Sequence, residues 1–568
     1  MTEATVTTDD AIDALRKRAG VAAQLAPFEY STLTELLSKA AERHPQHPAL
    51  TSLGHTISYA ELDTYATQFA IYLQQHTPLQ PGDRIAIQLP NILQYPVVLF
   101  GAFKAGLVVV NVNPLYTDRE LQHQFIDSGA KALVVFANVA HAVQDVLPDT
   151  NIETVIVTEV ADLHPPLKRW ALNLGARYIK KMVPAYQIEH SVSLRDCIRL
   201  GARGSLQSAG YAADDVVLLQ YTGGTTGRAK GAMLTLSNLL ANIAQARAMF
   251  RSFDNFPDGR QTVILPLPLY HVFAFNQCLL QFVLSNHLVL IANPRDIDSM
   301  VNAIRPWRYN GIYGLNTLFV ALCNHEGFQG LDHSDLQITV SGGMALTENA
   351  AQTWETVTRC KVYEGYGLTE TAPVVSINVQ HARKLGSIGV TVPSTELKVI
   401  DAEGATLPCG VAGELCVRGP QVMKGYWRQP EKTAEVIDRE GWFATGDIAV
   451  VDEDGYPRIV DRKKDMIIVS GFNVYPNEVE NVLSSHDDVI ECAVIGVPDP
   501  VAGESVRAYV VRRSEQLTTV ILNDYAREHL AAYKVPDAVE FVDDLPKSNV
   551  GKILRRELRD RVIAANSE

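Results

Sequence analysis

The segment Tyr221–Gly231 gathers residue types that bind phosphate groups. It contains glycines, hydroxyl side chains and a lysine: Tyr221, Thr222, Gly223, Gly224, Thr225, Thr226, Gly227 and Lys230. Glycines let backbone N–H groups approach an anion closely, threonine hydroxyls donate further hydrogen bonds, and a lysine adds positive charge. The segment therefore predicts a loop that binds the polyphosphate of a nucleotide. The alternative is a flexible surface loop.

This loop differs from the common P-loop of nucleotide hydrolases. In P-loop proteins a serine or threonine directly follows the lysine and holds magnesium. Here Lys230 is followed by Gly231. The sequence therefore argues against a P-loop hydrolase or motor.

A second group of residues suits the base and the metal ion of a nucleotide. Its members are Gly342, Gly343, Gly365, Tyr366, Gly367, Thr369 and Glu370. The glycines let the backbone approach a flat base, and the tyrosine ring can stack on it. The threonine and the glutamate offer oxygen ligands of the kind that Mg²⁺ prefers. Each motif could instead be a structural turn.

Two further motifs, in the C-terminal part of the sequence, contain charged residues. Asp447 follows a glycine and could accept hydrogen bonds from ribose hydroxyls, with Arg462 nearby. Lys552 follows Gly551 and could move onto a phosphoryl group during transfer. The alternatives are a turn aspartate and a solvated lysine.

The elements that must position these residues predict an α/β protein. The apolar run Val216–Leu219 directly precedes the glycine-rich loop and predicts a buried strand. Apolar strand-like runs alternate with helical patterns over most of the chain, which favours parallel sheets with crossover helices. Short strands and Gly/Pro turns over about 387–460 predict a small β-rich subdomain, and a compact α+β unit follows Arg462. A chain of 568 residues is expected to hold at least two domains.

Composition narrows the partners and the compartment. The net charge of −14 argues against nucleic acid as a partner. Seven cysteines without a CxxC pair favour a reduced, cytoplasmic protein. The polar, acidic N-terminus does not resemble a signal peptide, and no apolar run reaches the length of a membrane helix.

One stretch predicts contact with an anionic membrane surface. Residues 167–182 place Leu167, Trp170, Leu174 and Tyr178 at helical spacing, with basic residues mostly outside that stripe. A basic amphipathic helix of this kind is typical of peripheral membrane binding. The alternative is a solvated helix that packs on its own domain.

Together, the four nucleotide motifs resemble those of the ANL superfamily of adenylate-forming enzymes, in the same order and over nearly the whole chain. Longer strings are similar to bacterial long-chain fatty-acid–CoA ligases: Asn111–Thr117, Gly471–Glu478 and Leu545–Arg556. The resemblance implies an N-terminal adenylation domain (1–463), built of stacked α/β subdomains and the β-rich subdomain, and a mobile α+β C-terminal domain (464–568) that rotates on Lys464. It also implies the substrates ATP and coenzyme A, the cofactor Mg²⁺, and a fatty acid activated through acyl-AMP. The product feeds fatty-acid degradation or lipid metabolism.

The resemblance also implies a role for each site residue. It assigns the phosphates to Thr222–Lys230, Mg²⁺ to Thr222 and Glu370, and adenine to Gly342-Gly343 and Glu364–Tyr366. It assigns ribose to Asp447 and Arg462, adenylation to Lys552, and the coenzyme A half-reaction to the loop of Gly471. In the apolar segment Leu265–Phe275, His271 would meet the substrate carboxylate and Phe275 would gate the acyl tunnel. The alternative is that His271 is a structural residue of the core whose ring nitrogens are hydrogen-bonded.

Other functions, within this superfamily and outside it, fit the sequence less well. An amino-acid-adenylating domain would need a carboxylate in the region His271–Phe275 to pair with the substrate ammonium, and none is present. A non-catalytic fatty-acid carrier would not need Glu370, Asp447 and Lys552 together. A CoA ligase for a medium-chain or aryl acid stays open, because residue types alone do not set the depth of the tunnel. The sequence also leaves open whether the protein is a homodimer.

Overall fold

A computed structural model of the chain describes residues 7–222, 228–254, 259–548 and 551–565. Its strands are β1 (Pro48–Ser52), β2 (His55–Ser58), β3 (Arg84–Gln88), β4 (Val108–Asn111), β5 (Ala132–Phe136), β6 (Thr154–Thr158), β7 (Val192–Ser193), β8 (Val216–Thr222), β9 (Lys230–Thr235), β10 (Thr262–Leu265), β11 (His287–Leu290), β12 (Gly311–Gly314), β13 (Ile338–Gly342), β14 (Val362–Gly367), β15 (Val374–Ile377), β16 (Val390–Thr391), β17 (Glu396–Ile400), β18 (Gly413–Arg418), β19 (Gly425–Tyr426), β20 (Phe443–Val451), β21 (Pro457–Arg462), β22 (Ile467–Val469), β23 (Phe472–Val474), β24 (Val489–Asp499), β25 (Gly503–Arg512) and β26 (Ala538–Phe541).

The α-helices alternate with these strands through the first two thirds of the chain. They are α1 (Thr8–Arg18), α2 (Leu33–Arg43), α3 (Tyr59–His76), α4 (Gln94–Lys104), α5 (Asp118–Ser128), α6 (Ala140–Gln144), α7 (Pro166–Leu174), α8 (Leu194–Gly201), α9 (Leu236–Phe250), α10 (Val272–Val283), α11 (Ile297–Ile304), α12 (Asn316–Cys323), α13 (Glu326–Gln329), α14 (Glu348–Thr358), α15 (Pro430–Ala434), α16 (Pro476–Ser484), α17 (Thr519–His529) and α18 (Arg555–Ala565).

The sheet that carries the glycine-rich segment has the order β19-β9-β8-β4-β3-β5-β6-β7. Strands β3 to β8 pair in parallel, and β9 and β19 add antiparallel at one edge. A parallel strand covered on both faces is apolar along its length, and every residue of β5 is buried. The predicted phosphate loop lies between β8 and β9 in the chain, and its residues 223–227 are outside the described residues.

The second large sheet has the order β16-β15-β14-β13-β12-β10-β11-β1-β2. Strands β10 to β14 pair in parallel, so the carboxyl ends of β13 and β14 meet at one edge. Those ends carry Gly342 and Gly365, which are register partners. The topology therefore brings two of the predicted nucleotide motifs side by side.

Both large sheets share one hydrophobic core, to which α2, α3, α4, α9 and α10 contribute. Helix α4 is buried at nearly every position, because α3 packs closely on it. Gly101 permits that approach, since a Cβ there would lie 2.6 Å from the ring of Phe69. The two α/β layers are thus fixed relative to each other.

A four-stranded sheet, β17-β18-β20-β21, forms the β-rich part of the chain. The N-terminal helix α1 covers it, and the guanidinium of Arg16 donates to the carbonyl of Thr395 at 2.8 Å. The short strand β16, which lies in the region predicted to be β-rich, belongs instead to the second large sheet.

The last unit begins at β22 and has its own sheet and core. Strands β24 and β25 form a long antiparallel hairpin on which α16 packs. Val494 and Val506 of this hairpin share one core with Leu522 of α17. This arrangement confirms the predicted α/β class, with large N-terminal layers and a smaller C-terminal unit.

The basic segment 167–182 forms helix α7, which continues as a π-helical turn over Gly175–Ile179. Its apolar side chains are exposed: 87% for Leu167, 67% for Trp170 and 82% for Ile179. Lys168 fixes the helix to the β1–β2 turn by donating to the carbonyl of Gly54 at 2.8 Å. Within the described ranges, none of the helices has the length and apolar character needed to cross a bilayer.

Candidate active site

A cavity of about 2430 Å³ lies where the two large sheets, the β-rich sheet and the C-terminal unit meet. The predicted site residues that the structure describes all line it, apart from Phe275 and Gly471. Gly223, Gly224, Thr225, Thr226 and Gly227 lie outside the described residues. Motifs separated by more than three hundred residues in the sequence therefore share one cavity.

The β8–β9 hairpin forms the wall of the cavity that carries residues predicted to bind phosphate. Thr222 and Lys230 are cross-strand partners at the end of the hairpin that adjoins the connecting segment. Tyr221 supports the hairpin, because its hydroxyl donates to the carboxylate of Asp127 at 2.5 Å. Its ring also fills the space beside Gly231, where a Cβ would lie 3.1 Å from it.

Glu370 follows β14 on a short 3-10 turn and is held by a residue that the sequence analysis missed. The hydroxyl of Tyr426 donates to Glu370 Oε1 at 2.8 Å. The Nζ atom of Lys230 lies 4.0 Å from the centroid of the same ring. Tyr426 could not be predicted as a site residue from the local sequence. It lies in the site because the two-residue strand β19 pairs with β9.

Gly342 and Gly343, at the end of β13, form a wall of the cavity without side chains. At Gly342 a Cβ would lie 3.0 Å from the ring of Phe273, and Gly343 has φ of +87°. Glu364 lies on β14, and its carboxylate accepts from the backbone N–H of Gly386 at 3.0 Å. Burial raises the pKa of this carboxyl to about 7. This wall offers backbone groups to a flat ligand.

Asp447 and Arg462 face each other across β20 and β21. Arg462 Nε lies 3.5 Å from Asp447 Oδ1, and Tyr366 donates its hydroxyl to Asp447 Oδ2 at 2.5 Å. Burial raises the pKa of Asp447, and Arg462 partly offsets that shift. The Tyr366 hydroxyl is therefore committed to the carboxylate, while its ring lines the cavity.

Lys552 enters this cavity from the C-terminal unit. Its Cε lies 3.7 Å from the position that a Cβ of Gly343 would take. Burial, followed by the charge of Arg462, lowers the pKa of its ammonium to about 8, and Asp447 and Glu370 act in the opposite direction. The lysine therefore joins carboxylates from two other elements.

The loop that presents Lys552 is docked on the N-terminal part. Thr317 Oγ1 donates to the carbonyl of Gly551 at 3.3 Å, and the guanidinium of Arg295 donates to the carbonyl of Ser548 at 3.3 Å. Within the loop, the backbone N–H of Lys552 donates to Ser548 Oγ at 3.0 Å. These contacts hold the lysine in the cavity.

His271 caps helix α10, and its Nδ1 accepts from the backbone N–H of Phe273 at 3.4 Å. Burial, with a smaller effect of Lys552, lowers the pKa of its imidazole to about 3, so the ring is neutral at pH 7. Phe275 lies on the face of α10 that packs into the core, and its exposed fraction is 0%. Val272 and Phe273 line the cavity.

The predicted hinge lies in the connection between β21 and β22. Lys464 lines the cavity there, and its pKa is lowered by desolvation and by Arg462. Beside it, Arg555 binds Glu480 at 2.7 Å and lies 3.6 Å from Asp461 of β21. Gly471 occupies the exposed β22–β23 turn with φ of +83°.

The composition of the cavity fits a magnesium nucleotide. Lys230, Arg462, Lys464 and Lys552 supply positive charge for phosphates, and Asp447 suits ribose hydroxyls. Among the described residues there is no cluster of three or more acidic, histidine or cysteine side chains that could hold a metal. A single carboxylate such as Glu370 suits Mg²⁺, which binds proteins through one or two carboxylates and takes its other ligands from phosphates and water.

Comparison with known proteins gives concordant matches. The profile of the AMP-binding enzyme family matches residues 37–427, and that of the AMP-binding enzyme C-terminal domain matches residues 478–552. A long-chain-fatty-acid–CoA ligase of Salmonella typhimurium is 48% identical over 96% of this chain and 97% of its own length. One of Haemophilus influenzae is 46% identical over 94% of this chain and 96% of its own length. A crystal structure of an anthranilate CoA ligase in complex with anthranoyl-AMP superposes with a TM-score of 0.84 at 25% identity, covering 95% of this chain and 99% of that chain.

Proposed function

The chain belongs to the AMP-binding enzyme family, and we propose that it joins a long-chain fatty acid to coenzyme A through an acyl-AMP intermediate. The observation that carries this proposal is the meeting of Lys552, Asp447 and Glu370 in one cavity. Relatives at 46–48% identity over nearly their whole length support the fatty-acid substrate. The product feeds fatty-acid degradation or lipid metabolism.

In the first half-reaction, the fatty-acid carboxylate attacks the α-phosphate of ATP and pyrophosphate leaves. Little covalent chemistry is asked of the protein, so positioning and charge stabilisation carry the catalysis. Lys552 neutralises the carboxylate and α-phosphate oxygens, and Asp447 with Arg462 holds the ribose. Lys230 and Thr222 orient the leaving pyrophosphate. Glu370 and Thr222 would hold Mg²⁺, which supplies charge neutralisation between the phosphates.

In the second half-reaction, the thiol of coenzyme A attacks the acyl carbon and AMP leaves. The C-terminal unit turns about Lys464, withdraws Lys552 and brings the loop of Gly471 to the cavity. The exposed position of Gly471, outside the cavity that holds Lys552, supports a first-half-reaction arrangement for this structure. His271 stays neutral and so can approach a carboxylate as a hydrogen-bond donor without adding charge.

Measuring the release of pyrophosphate and AMP tests this function. The purified protein, MgATP and a panel of short, medium, long and aryl acids are incubated with and without coenzyme A. We expect pyrophosphate release that needs a long-chain acid, and AMP release that needs coenzyme A as well. A preference for an aryl or medium-chain acid would move the protein to another substrate class, and acid-independent ATP hydrolysis would refute ligation.

We also propose that segment 167–182 contacts an anionic membrane surface, where the fatty acid partitions. The exposed Leu167, Trp170 and Ile179 support this contact, as do the basic residues beside them in a protein of net charge −14. Interfacial helices bind through buried apolar area together with attraction to anionic headgroups.

Flotation with phosphatidylglycerol vesicles tests the membrane contact. We expect the variant Trp170→Ala, Lys180→Gln, Lys181→Gln to lower vesicle binding by about tenfold or more, since each basic residue contributes about 1 kcal/mol near an anionic surface. The control is Val501→Ala, which truncates an apolar side chain that is also exposed (94%) on the C-terminal unit. Binding by the triple variant that equals the wild type would refute the contact.

A further inference from the structure

We propose that Tyr426 is a positioning residue that sets the places of Glu370 and Lys230 together. Its hydroxyl fixes the candidate metal-binding carboxylate, and its ring fixes the candidate phosphate-binding lysine. This inference rests on the proposed function, which makes those two groups part of the nucleotide site.

The two contacts use different parts of one side chain. The hydroxyl donates to Glu370 Oε1 at 2.8 Å, and the ammonium of Lys230 lies 4.0 Å from the ring centroid. Tyr426 is 5% exposed. A tyrosine hydroxyl carries its proton at neutral pH, so it donates to the carboxylate.

The backbone around Tyr426 is braced against both partners. Strand β19 pairs Tyr426 with Ala232, two residues after Lys230, and the backbone N–H of Trp427 donates to the carbonyl of Gly231 at 2.8 Å. On the other side, the backbone N–H of Met423 donates to the carbonyl of Glu370 at 2.7 Å. One short strand therefore ties β9 to the turn that carries Glu370.

Gly425, the first residue of β19, constrains the backbone just before Tyr426. Gly425 has φ of +143°, and a Cβ there would lie 2.7 Å from Thr433 Cγ2. The hydroxyl of Thr433 also accepts from the backbone N–H of Tyr426 at 2.9 Å. The ring is thus held before any ligand arrives, as expected for a residue that preorganises its neighbours.

Tyr426 also contacts the ammonium of Lys230 and the carboxylate of Glu370 at different places on its side chain. Lys230 lies over the ring, whereas Glu370 is bound at the hydroxyl. A lysine attracted to an aromatic face and a carboxylate bound by a neutral donor both keep their charge available to phosphate and metal.

Two substitutions separate the hydroxyl from the ring. Tyr426→Phe removes only the hydrogen bond to Glu370, and Tyr426→Leu removes the ring beneath Lys230 as well. The readouts are the dissociation constant of Mn²⁺ in the complex with α,β-methylene-ATP, measured by electron paramagnetic resonance, and that of the metal-free nucleotide, measured by calorimetry in EDTA.

We expect Tyr426→Phe to weaken Mn²⁺ binding by about tenfold, the effect of one hydrogen bond to a charged group, and to leave metal-free nucleotide binding unchanged. Tyr426→Leu should weaken both. In a Glu370→Gln background the effect of Tyr426→Phe on Mn²⁺ binding should shrink, because the two residues act through one contact. The matched control is Tyr211→Phe, which removes the hydrogen bond of another tyrosine to the carbonyl of Leu107.

A merely structural role for Tyr426 predicts a lower melting temperature and unchanged dissociation constants. That result for Tyr426→Phe would overturn the proposal, even if Tyr426→Leu did not fold. The assay needs neither fatty acid nor coenzyme A. A wild-type protein that binds Mn²⁺ and nucleotide but releases no pyrophosphate with any acid would therefore refute the proposed function and leave the positioning role standing.

Discussion

Lys552 is the residue whose surroundings say most about the chemistry. It comes from the C-terminal unit, yet its ammonium is influenced by Arg462, Asp447 and Glu370 of the N-terminal part. Lys552 lines the cavity together with Asp447, Glu370 and Arg462. Its place suits a transient negative charge that the substrates bring.

We predict that Lys552→Ala abolishes acyl-AMP formation and spares thioester formation from supplied acyl-AMP. The reason is that the ammonium neutralises charge only while the carboxylate attacks the α-phosphate. Separate assays of the two half-reactions measure this. Adenylation at the wild-type rate would contradict the role of Lys552.

The pH dependence of adenylation follows from the same lysine. Its pKa is lowered to about 8 in the free protein, and the protonated form is the active one. We therefore expect kcat/KM for ATP in adenylation to fall as the pH rises through about 8, since this parameter reports the free enzyme. Thioester formation from supplied acyl-AMP is the control and should not fall there. A flat adenylation profile from pH 7 to 9.5 would count against the assignment.

Among the elements, the strand before the glycine-rich segment could be predicted from the sequence, while its phosphate binding stays a prediction. The apolar run Val216–Leu219 followed by glycines and threonines predicts a buried strand that ends at a loop, and β8 confirms the strand. The partner strand β19 could not be predicted. It has two residues, and pairing with β9 across almost two hundred residues leaves no local periodicity.

Phe275 shows a second limit of sequence reasoning. Helix α10 is apolar on most sides, so its sequence does not tell which face meets the substrate and which meets the core. The structure places Phe273 on the cavity and Phe275 in the core. A gating role for Phe275 stays a prediction, and it would have to act through the packing of α10.

The connection between β21 and β22 carries the element-scale prediction. We expect Lys464→Pro to slow thioester formation more than adenylation, because proline would fix φ at the proposed hinge of the C-terminal unit. Lys464→Ala keeps the backbone free and separates the loss of the charge from the loss of rotation. Rapid-quench measurement of both half-reactions gives the ratio. Equal slowing of the two steps by Lys464→Pro would place the hinge elsewhere.

For the whole molecule, the charge distribution explains how an acidic protein binds ATP. The net charge is −14, but Lys230, Arg462, Lys464 and Lys552 converge on one cavity. Cations in a confined cleft focus the field on the ligand although the surface as a whole is negative. The resemblance in the sequence predicted this convergence, whereas the depth of the acyl pocket depends on the packing of distant segments.

The proposed mechanism requires that one site make acyl-AMP and then consume it. The direct test is a single-turnover experiment with excess enzyme, α-³²P-labelled ATP, magnesium and a long-chain fatty acid in the absence of coenzyme A. We predict that labelled acyl-AMP accumulates on the enzyme and that added coenzyme A converts it to AMP and acyl-CoA in equal amounts. Acyl-CoA formed without prior labelled acyl-AMP, or label released as ADP, would contradict the account.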